Sequence, residues 1–475
     1  MAHSLRPQYL RAPASADSIG SIAQATISDR DSASLSLSQE KAEYTQDPFA
    51  TPMESQLPSR MGSALDLRKP KQPNEYFRSR RVKKGNVEKP WMDHKDPKEK
   101  WVTIIPLIGM LVGLAISAFF VWDGLQTVVN HSYCPVLDDS FANGLDPAIW
   151  TREAEVGGFG NGQFEQTTST EENVFVQDGM LHIKPTLEDA KHIETDYIID
   201  LRNGSVCTSP VWSNCLTSTN TTNGTIVPPV KSGRLNAKSK PIKYGRIEAT
   251  VRLPQGDWLW PAIWMLPVNR KYGEWPSSGE IDILESRGNN HTYRQGGNDI
   301  MSSALHWGPN PANDAWWRTN NKRNALHTTF SKNFHTFGLE WSEKYIFTYI
   351  DSRLLQVMYV NFDPDTHLWD RGKFPKTDAV NGTLLLDPWS GPNTVPSTPF
   401  DQDFYLILNV AVGGTNGWFE DGKSGKPWVD SSKRAKKDFW DAREQWLPTW
   451  GENGKDAEML VKSVKIWQQK GYNNC

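Results

Sequence analysis

The sequence predicts an all-β jelly-roll sandwich, preceded by one membrane-spanning helix and a disordered N-terminal tail, and three observations lead there. From residue 134 onward, short strand-like runs such as residues 179–184, 245–252 and 405–410 are separated by Gly, Pro, Asn and Asp, and long helical periodicity is missing. Many short strands with turn signals and no alternating helices argue for an antiparallel sandwich rather than a βαβ fold. Residues 102–122 form an uncharged stretch of 21 residues, and roughly 20 apolar residues cross the hydrocarbon core of a bilayer. Residues 1–100 are rich in Ser, Gln, Pro, Arg and Lys and carry no apolar period. Such a segment cannot bury enough surface to offset the entropy of ordering it.

The chain therefore divides into a cytosolic tail (1–100), a signal-anchor helix (101–122), a linker (123–133) and one sandwich domain (134–475). Sandwiches routinely use over about 200 residues as a single domain, so the length does not demand a second one. The apolar stretch is not a core helix, because core helices rarely stay apolar on every face for so long. A cleaved signal peptide would begin at the N-terminus and have a shorter apolar region. Trp101 and Trp122 sit where interfacial aromatics belong, and the lipid bilayer is the expected partner of residues 101–122. Arg78, Arg80, Arg81, Lys83, Lys84, Lys89, Lys95, Lys98 and Lys100 precede the span, while no Lys or Arg follows it until Arg152. That asymmetry predicts a cytosolic N-terminus and a luminal or extracellular domain, a single-pass type II topology.

Two further features agree. Asn-x-Ser/Thr sequons occur at Asn130, Asn203, Asn220, Asn223, Asn290 and Asn381, and none precedes the span. All four cysteines, Cys134, Cys207, Cys215 and Cys475, lie on the same far side, where an oxidising lumen permits disulfides. Cys207 with Cys215 would staple a short loop and Cys134 with Cys475 would tie the domain's ends, although four cysteines allow three pairings. A net charge of −3 and a pI near 6.4 give no basic field for phosphates, so nucleic acid is excluded as a partner. Of 21 Trp, 18 follow residue 122. That abundance serves either core filling or stacking on a ligand face.

The segment Glu280-Ile-Asp-Ile-Leu-Glu285 reads as a strand with Glu280 and Asp282 on one face and Ile281 and Ile283 behind. Glu285 has the wrong parity, and a β-bulge near Leu284 would return it to the acidic face. A solvated acidic strand is the plainer use of such a string. Three acids in a partly desolvated cleft instead raise one another's pKa. Glycoside cleavage makes use of that repulsion, because a retaining enzyme needs one ionised and one protonated carboxyl roughly 5 Å apart.

Across residues 134–470 the sequence resembles glycoside hydrolase family 16, in its laminarinase-like branch with the bulged motif. The resemblance rests on residues 245–248 (Gly-Arg-Ile-Glu), Trp260-Pro-Ala-Ile-Trp-Met-Leu-Pro267, Trp275-Pro-Ser-Ser-Gly-Glu-Ile-Asp-Ile-Leu-Glu285, Ser303-Ala-Leu-His-Trp307, Gly338-Leu-Glu-Trp341 and Leu408-Asn-Val-Ala-Val-Gly-Gly414. It implies a concanavalin A-like sandwich with Glu280 as nucleophile, Asp282 as assisting acid and Glu285 as acid/base. It also implies substrate contacts at Asn161, Arg234, Trp260, Trp264, His306, Trp341 and Asn409; core packing, a structural imidazole or a turn Asn are the alternatives at these positions. The insertion at 207–227 and the Trp-rich stretch 418–450 have no counterpart. No spacing demands calcium or zinc, so no metal or cofactor is expected.

The resulting expectation is a retaining endo-β-1,3(4)-glucanase, monomeric in its catalytic domain, acting on cell-wall β-1,3-glucan through a covalent intermediate. A transglycosylase of glucan assembly and a non-catalytic glucan-binding membrane protein are the alternatives. The layout resembles that of fungal membrane proteins associated with glucan synthesis, an analogy of layout alone.

Overall fold

The computed structural model describes residues 96–127, 130–204 and 206–475, with a few isolated positions between 83 and 93. The expected tail, residues 1–100, lies almost entirely outside the described residues.

Residues Glu99–Thr127 form a 29-residue helix, α1, about 43 Å long at the usual rise per residue. It is long and apolar enough to cross a membrane, and none of its apolar window is buried against protein. Pro106 lies inside it and removes one intrahelical hydrogen bond near the first turns.

The sandwich is two antiparallel sheets around one apolar core. Five strands of the seven-stranded sheet concern the site: β1 (Arg234–Asn236), β2 (Leu259–Pro267), β3 (Glu280–Ser286), β4 (Ile300–His306) and β5 (Phe404–Val412). Their order in the sheet is β4-β3-β2-β5-β1, with Asn320–Asn324 and Thr151–Arg152 on the two edges. In the eight-stranded sheet, Gly245–Arg252 lies between His335–Trp341 and Met459–Gln469. Its side chains alternate between buried and half-buried along all eight residues, the period-2 pattern of a strand with one face on a core. The expected runs at 179–184, 245–252 and 405–410 appear as Met180–Ile183, Gly245–Arg252 and Phe404–Val412. A smaller hairpin pairs Tyr197–Asp200 with Leu216–Thr219, the second of which lies inside the insertion.

Both sheets send apolar side chains inward, among them Ile247, Ile263, Met265, Ile281, Ile283, Leu305, Leu339, Leu408, Val410 and Ile466, all essentially inaccessible. The tryptophans divide between the two expected uses. Trp258, Trp307, Trp341, Trp428, Trp446 and Trp450 are fully buried. The stretch 418–450 wraps Trp428 edge-on against Trp258 at 5.1 Å and stacks Phe439 on Trp446 at 4.3 Å, so Trp428, Trp440, Trp446 and Trp450 pack as core. Disulfides join Cys134 to Cys475 and Cys207 to Cys215, and the six sequon asparagines are exposed.

Candidate active site

The acidic strand carries the expected bulge. Between β2 and β3, Ala262 pairs with Glu285 and Ile263 with Leu284, but Trp264 pairs with Asp282, leaving Ile283 as the extra residue. On the other side, Asp282 pairs with Ala304 and Glu285 with Ser302. The unpaired carbonyl of Ile283 accepts from Ser303 Oγ at 2.7 Å, and Thr348 Oγ1 donates to that Ser303 oxygen at 2.8 Å. Two buried hydroxyls thus replace the ladder bond that the bulge removes. Ile281, Ile283 and Leu284 all turn into the core, so Glu280, Asp282 and Glu285 share the opposite face.

Pairing across the sheet fixes the rest of that face. Ala262 lies opposite both Glu285 and Asn409, and Asn409 lies opposite Arg234. Glu280 lies opposite His306. Directly paired residues point to the same side of a sheet, so these side chains share one surface.

Each glutamate has its own indole donor. Trp260 Nε1 donates to Glu285 Oε1 at 3.0 Å, and Trp275 Nε1 donates to Glu280 Oε2 at 3.1 Å. His306 Nε2 lies 3.3 Å from Asp282 Oδ2 and 3.8 Å from Glu280 Oε1, while its Nδ1 is 2.5 Å from Asp314 Oδ2. Trp264 Nε1 donates to Asn409 Oδ1 at 2.7 Å. Arg234 pairs with Glu153 at 2.6 Å, and its guanidinium lies 4.1 Å from the Phe159 ring and 4.7 Å from the Trp264 ring. Phe159 takes a left-handed φ of 48° between Gly158 and Gly160, in the loop that carries half-buried Asn161.

Burial sets the electrostatics. It raises Glu280 well above the ordinary carboxyl range, and Asp282 adds to the shift. Asp282 is raised chiefly by burial as well. Glu285 is pushed up to about 7 by burial first and the Asp282 charge second, against the pull of His306, the Trp260 N–H and Arg287. Burial disfavours charge on His306, yet Asp314, Asp282 and Glu280 outweigh it and hold the imidazole protonated well above its usual range. Donor atoms of Glu280, Asp282 and His306 lie within 4.8 Å of one another, a spacing a metal ion would accept. Metal binding would require the deprotonated imidazole, since a protonated one has no lone pair to offer.

Trp341 does not reach this surface. It belongs to the other sheet, is 0% exposed, donates Nε1 to the Phe400 carbonyl at 3.1 Å and packs edge-on against Tyr244 and Phe404. The expected substrate contact is a core residue. Trp260 also differs from expectation, since Trp418 stacks on it at 4.7 Å with 12° between the planes. Trp418 in turn carries the Arg287 guanidinium 3.9 Å from its ring. Asp314, Trp418 and Arg287 were not legible as site residues. Each lies in a loop or just past a strand, where no facing pattern marks it. Trp275 stood in the quoted motif, but nothing there assigned it a partner.

Residues 202–384 match the family described as Glycosyl hydrolases family 16. The chain is 39% identical over 349 residues to a beta-1,3-glucan-binding protein of Penaeus monodon, covering 71% of this chain and 91% of that one. It is 30% identical over 275 residues to glucan endo-1,3-beta-glucosidase A1 of Niallia circulans, covering 57% of this chain but 30% of that protein. Among solved structures, the laminarinase of Rhodothermus marinus aligns at a TM-score of 0.44 and 23% identity, over 72% of this chain and 99% of the other. With a jelly-roll sandwich, a bulged acidic strand and a relative matched over nearly its whole length, this chain belongs to glycoside hydrolase family 16.

Proposed function

We propose that this chain is a retaining endo-β-1,3(4)-glucanase anchored by α1, with residues 1–100 cytosolic and a monomeric sandwich facing cell-wall β-glucan in the lumen or outside the cell. The single observation that carries the catalytic reading is the bulged strand that puts Glu280, Asp282 and Glu285 on one face, with a separate indole donor for each glutamate. Glu285, with a pKa near 7, holds the proton that the departing glycosidic oxygen takes up. Glu280 attacks the anomeric carbon as its carboxylate. The Trp275 N–H and protonated His306 stabilise the negative charge it needs. The proton that leaves with the aglycone frees Glu285 to deprotonate water, which opens the glycosyl ester on Glu280. A sugar hydroxyl in place of water gives transglycosylation by the same steps. Asn161, Arg234, Trp264 and Asn409 are the residues that would contact sugar hydroxyls and ring faces.

A second reading, a glucan-binding protein without turnover, is favoured by the relative at 39% identity, a beta-1,3-glucan-binding protein. Product analysis on laminarin separates the readings. The full chain should release reducing ends or lengthened chains, and Glu280→Gln should lower either activity by several orders of magnitude while glucan binding persists. Absence of products from the unmodified chain would leave the binding reading standing.

A further inference from the structure

Outside the carboxylate surface, the long connection from Ser352–Asn361 to β5 encloses a pocket of about 240 Å³, lined by His367, Trp369, Asp370, Asp387, Trp389 and Thr394 among others. We propose that this pocket is a second, non-catalytic carbohydrate site that takes one pyranose unit.

Its walls are rigid and aromatic. Trp389 is 3% exposed and pinned by its indole N–H to the Ser277 carbonyl at 2.8 Å. Trp369 stands at 76° to it with centroids 6.3 Å apart, and Phe374 backs Trp369 at 5.0 Å. A corner of two indoles offers a stacking face to a sugar ring and a wall that stops it. Its rim is polar. Asp387 Oδ1 accepts the backbone N–H of Trp389 at 2.9 Å. His367, Asp370 and Asp387 line the pocket together. His367 Nδ1 is buried without a hydrogen-bond partner, an unmet polar group beside the pocket.

Size and spacing choose the ligand. Pockets for drug-sized molecules start near roughly 300 Å³, so this one suits a single ring. A metal ion is the wrong occupant. Among the described residues, the only clustered set of donor atoms close enough for one ion is Glu280, Asp282 and His306, which places His367, Asp370 and Asp387 too far apart to share a cation. Dispersed carboxylates around an aromatic corner instead match the outward hydroxyls and apolar face of a pyranose. The residue that holds Trp389, Ser277, lies three residues before Glu280 in the sequence. That the sugar is a glucosyl unit rests on the proposed function.

The test uses the full chain carrying Glu280→Gln in detergent micelles, titrated with a β-1,3-linked glucose hexamer by calorimetry. Two classes of site are expected. Trp369→Ala with Asp370→Asn should weaken one class at least tenfold and leave the other unchanged, and Asp370→Asn alone, an exposed and conservative change, should weaken the same class severalfold. A one-class isotherm that both variants leave unchanged, or two classes that survive both variants, would overturn the pocket site. Retention of the pocket class with no binding at the carboxylate surface would support the pocket and count against the catalytic reading instead.

Discussion

As the proposed acid/base, Glu285 would meet two demands that oppose each other, because the burial that keeps its proton available for a leaving group also makes its anion costly. Its folded pKa of about 7 exceeds the 4.5 of an exposed glutamate, so the folded state binds the proton more tightly. Stability from this group is therefore highest below pH 4.5, falls as pH rises toward 7 and stays low above it. The penalty is roughly 3 kcal/mol at most for a shift of that size. Glu285→Gln should raise Tm at pH 8 and leave it unchanged at pH 4, while kcat/KM of the parent should fall as pH rises through about 7. Equal melting of parent and variant at pH 8 would mean that Glu285 is not destabilised in the fold. That the three acids share one face was readable from strand parity, since a residue out of phase with two others calls for a bulge. The partners that tune them were not. Asp314 sits beyond the end of β4 and Trp418 beyond β5, so their approach to His306 and Trp260 depends on how loops return over the sheet. Trp341 misled because its motif is a strand, and within a strand the neighbouring residue faces the other way: Trp341 points into the core and Glu340 meets Tyr345 and Arg353.

At the scale of elements, the insertion with no family counterpart is not an appendage. Thr208 N–H donates to the Ala154 carbonyl at 3.0 Å, Ala154 N–H to Thr208 Oγ1 at 2.9 Å and Val156 N–H to the Asn214 carbonyl at 2.8 Å. The stapled loop therefore braces the segment that enters the Phe159–Asn161 turn, and the Phe159 ring supports Arg234. A Cβ on Gly157 would fall 2.4 Å from Asn214 Oδ1, so the two segments are in direct contact. Closing a loop this short is worth roughly 2–3 kcal/mol, largely local to it. Replacing Cys207 and Cys215 by Ser should raise KM for long glucans severalfold, leave kcat within about twofold and lower Tm by only a few degrees. An unchanged KM would show that the loop does not position the turn. Sequence made the two cysteines readable as a staple, but the strand they brace lies 54 residues earlier at its first contact, a pairing that no local pattern announces.

For the whole molecule, the proposed topology places every sequon and both disulfides on one side of α1. Protease added to intact microsomes should trim only the first hundred or so residues, and endoglycosidase should then shift the protected remainder on a gel. A protected N-terminus with an accessible sandwich would reverse the assignment. The clasp between Cys134 and Cys475 has a sequence separation of 341 residues and joins the first strand to the segment after Met459–Gln469. It makes the domain a covalent ring with a single tether. Any one cut inside the ring leaves both fragments attached to the anchor until the disulfide is reduced, whereas a cut in residues 128–133 frees the whole domain intact. Under the proposed topology, release from the membrane would be confined to a window of a few residues, and accidental nicking elsewhere would not shed the domain.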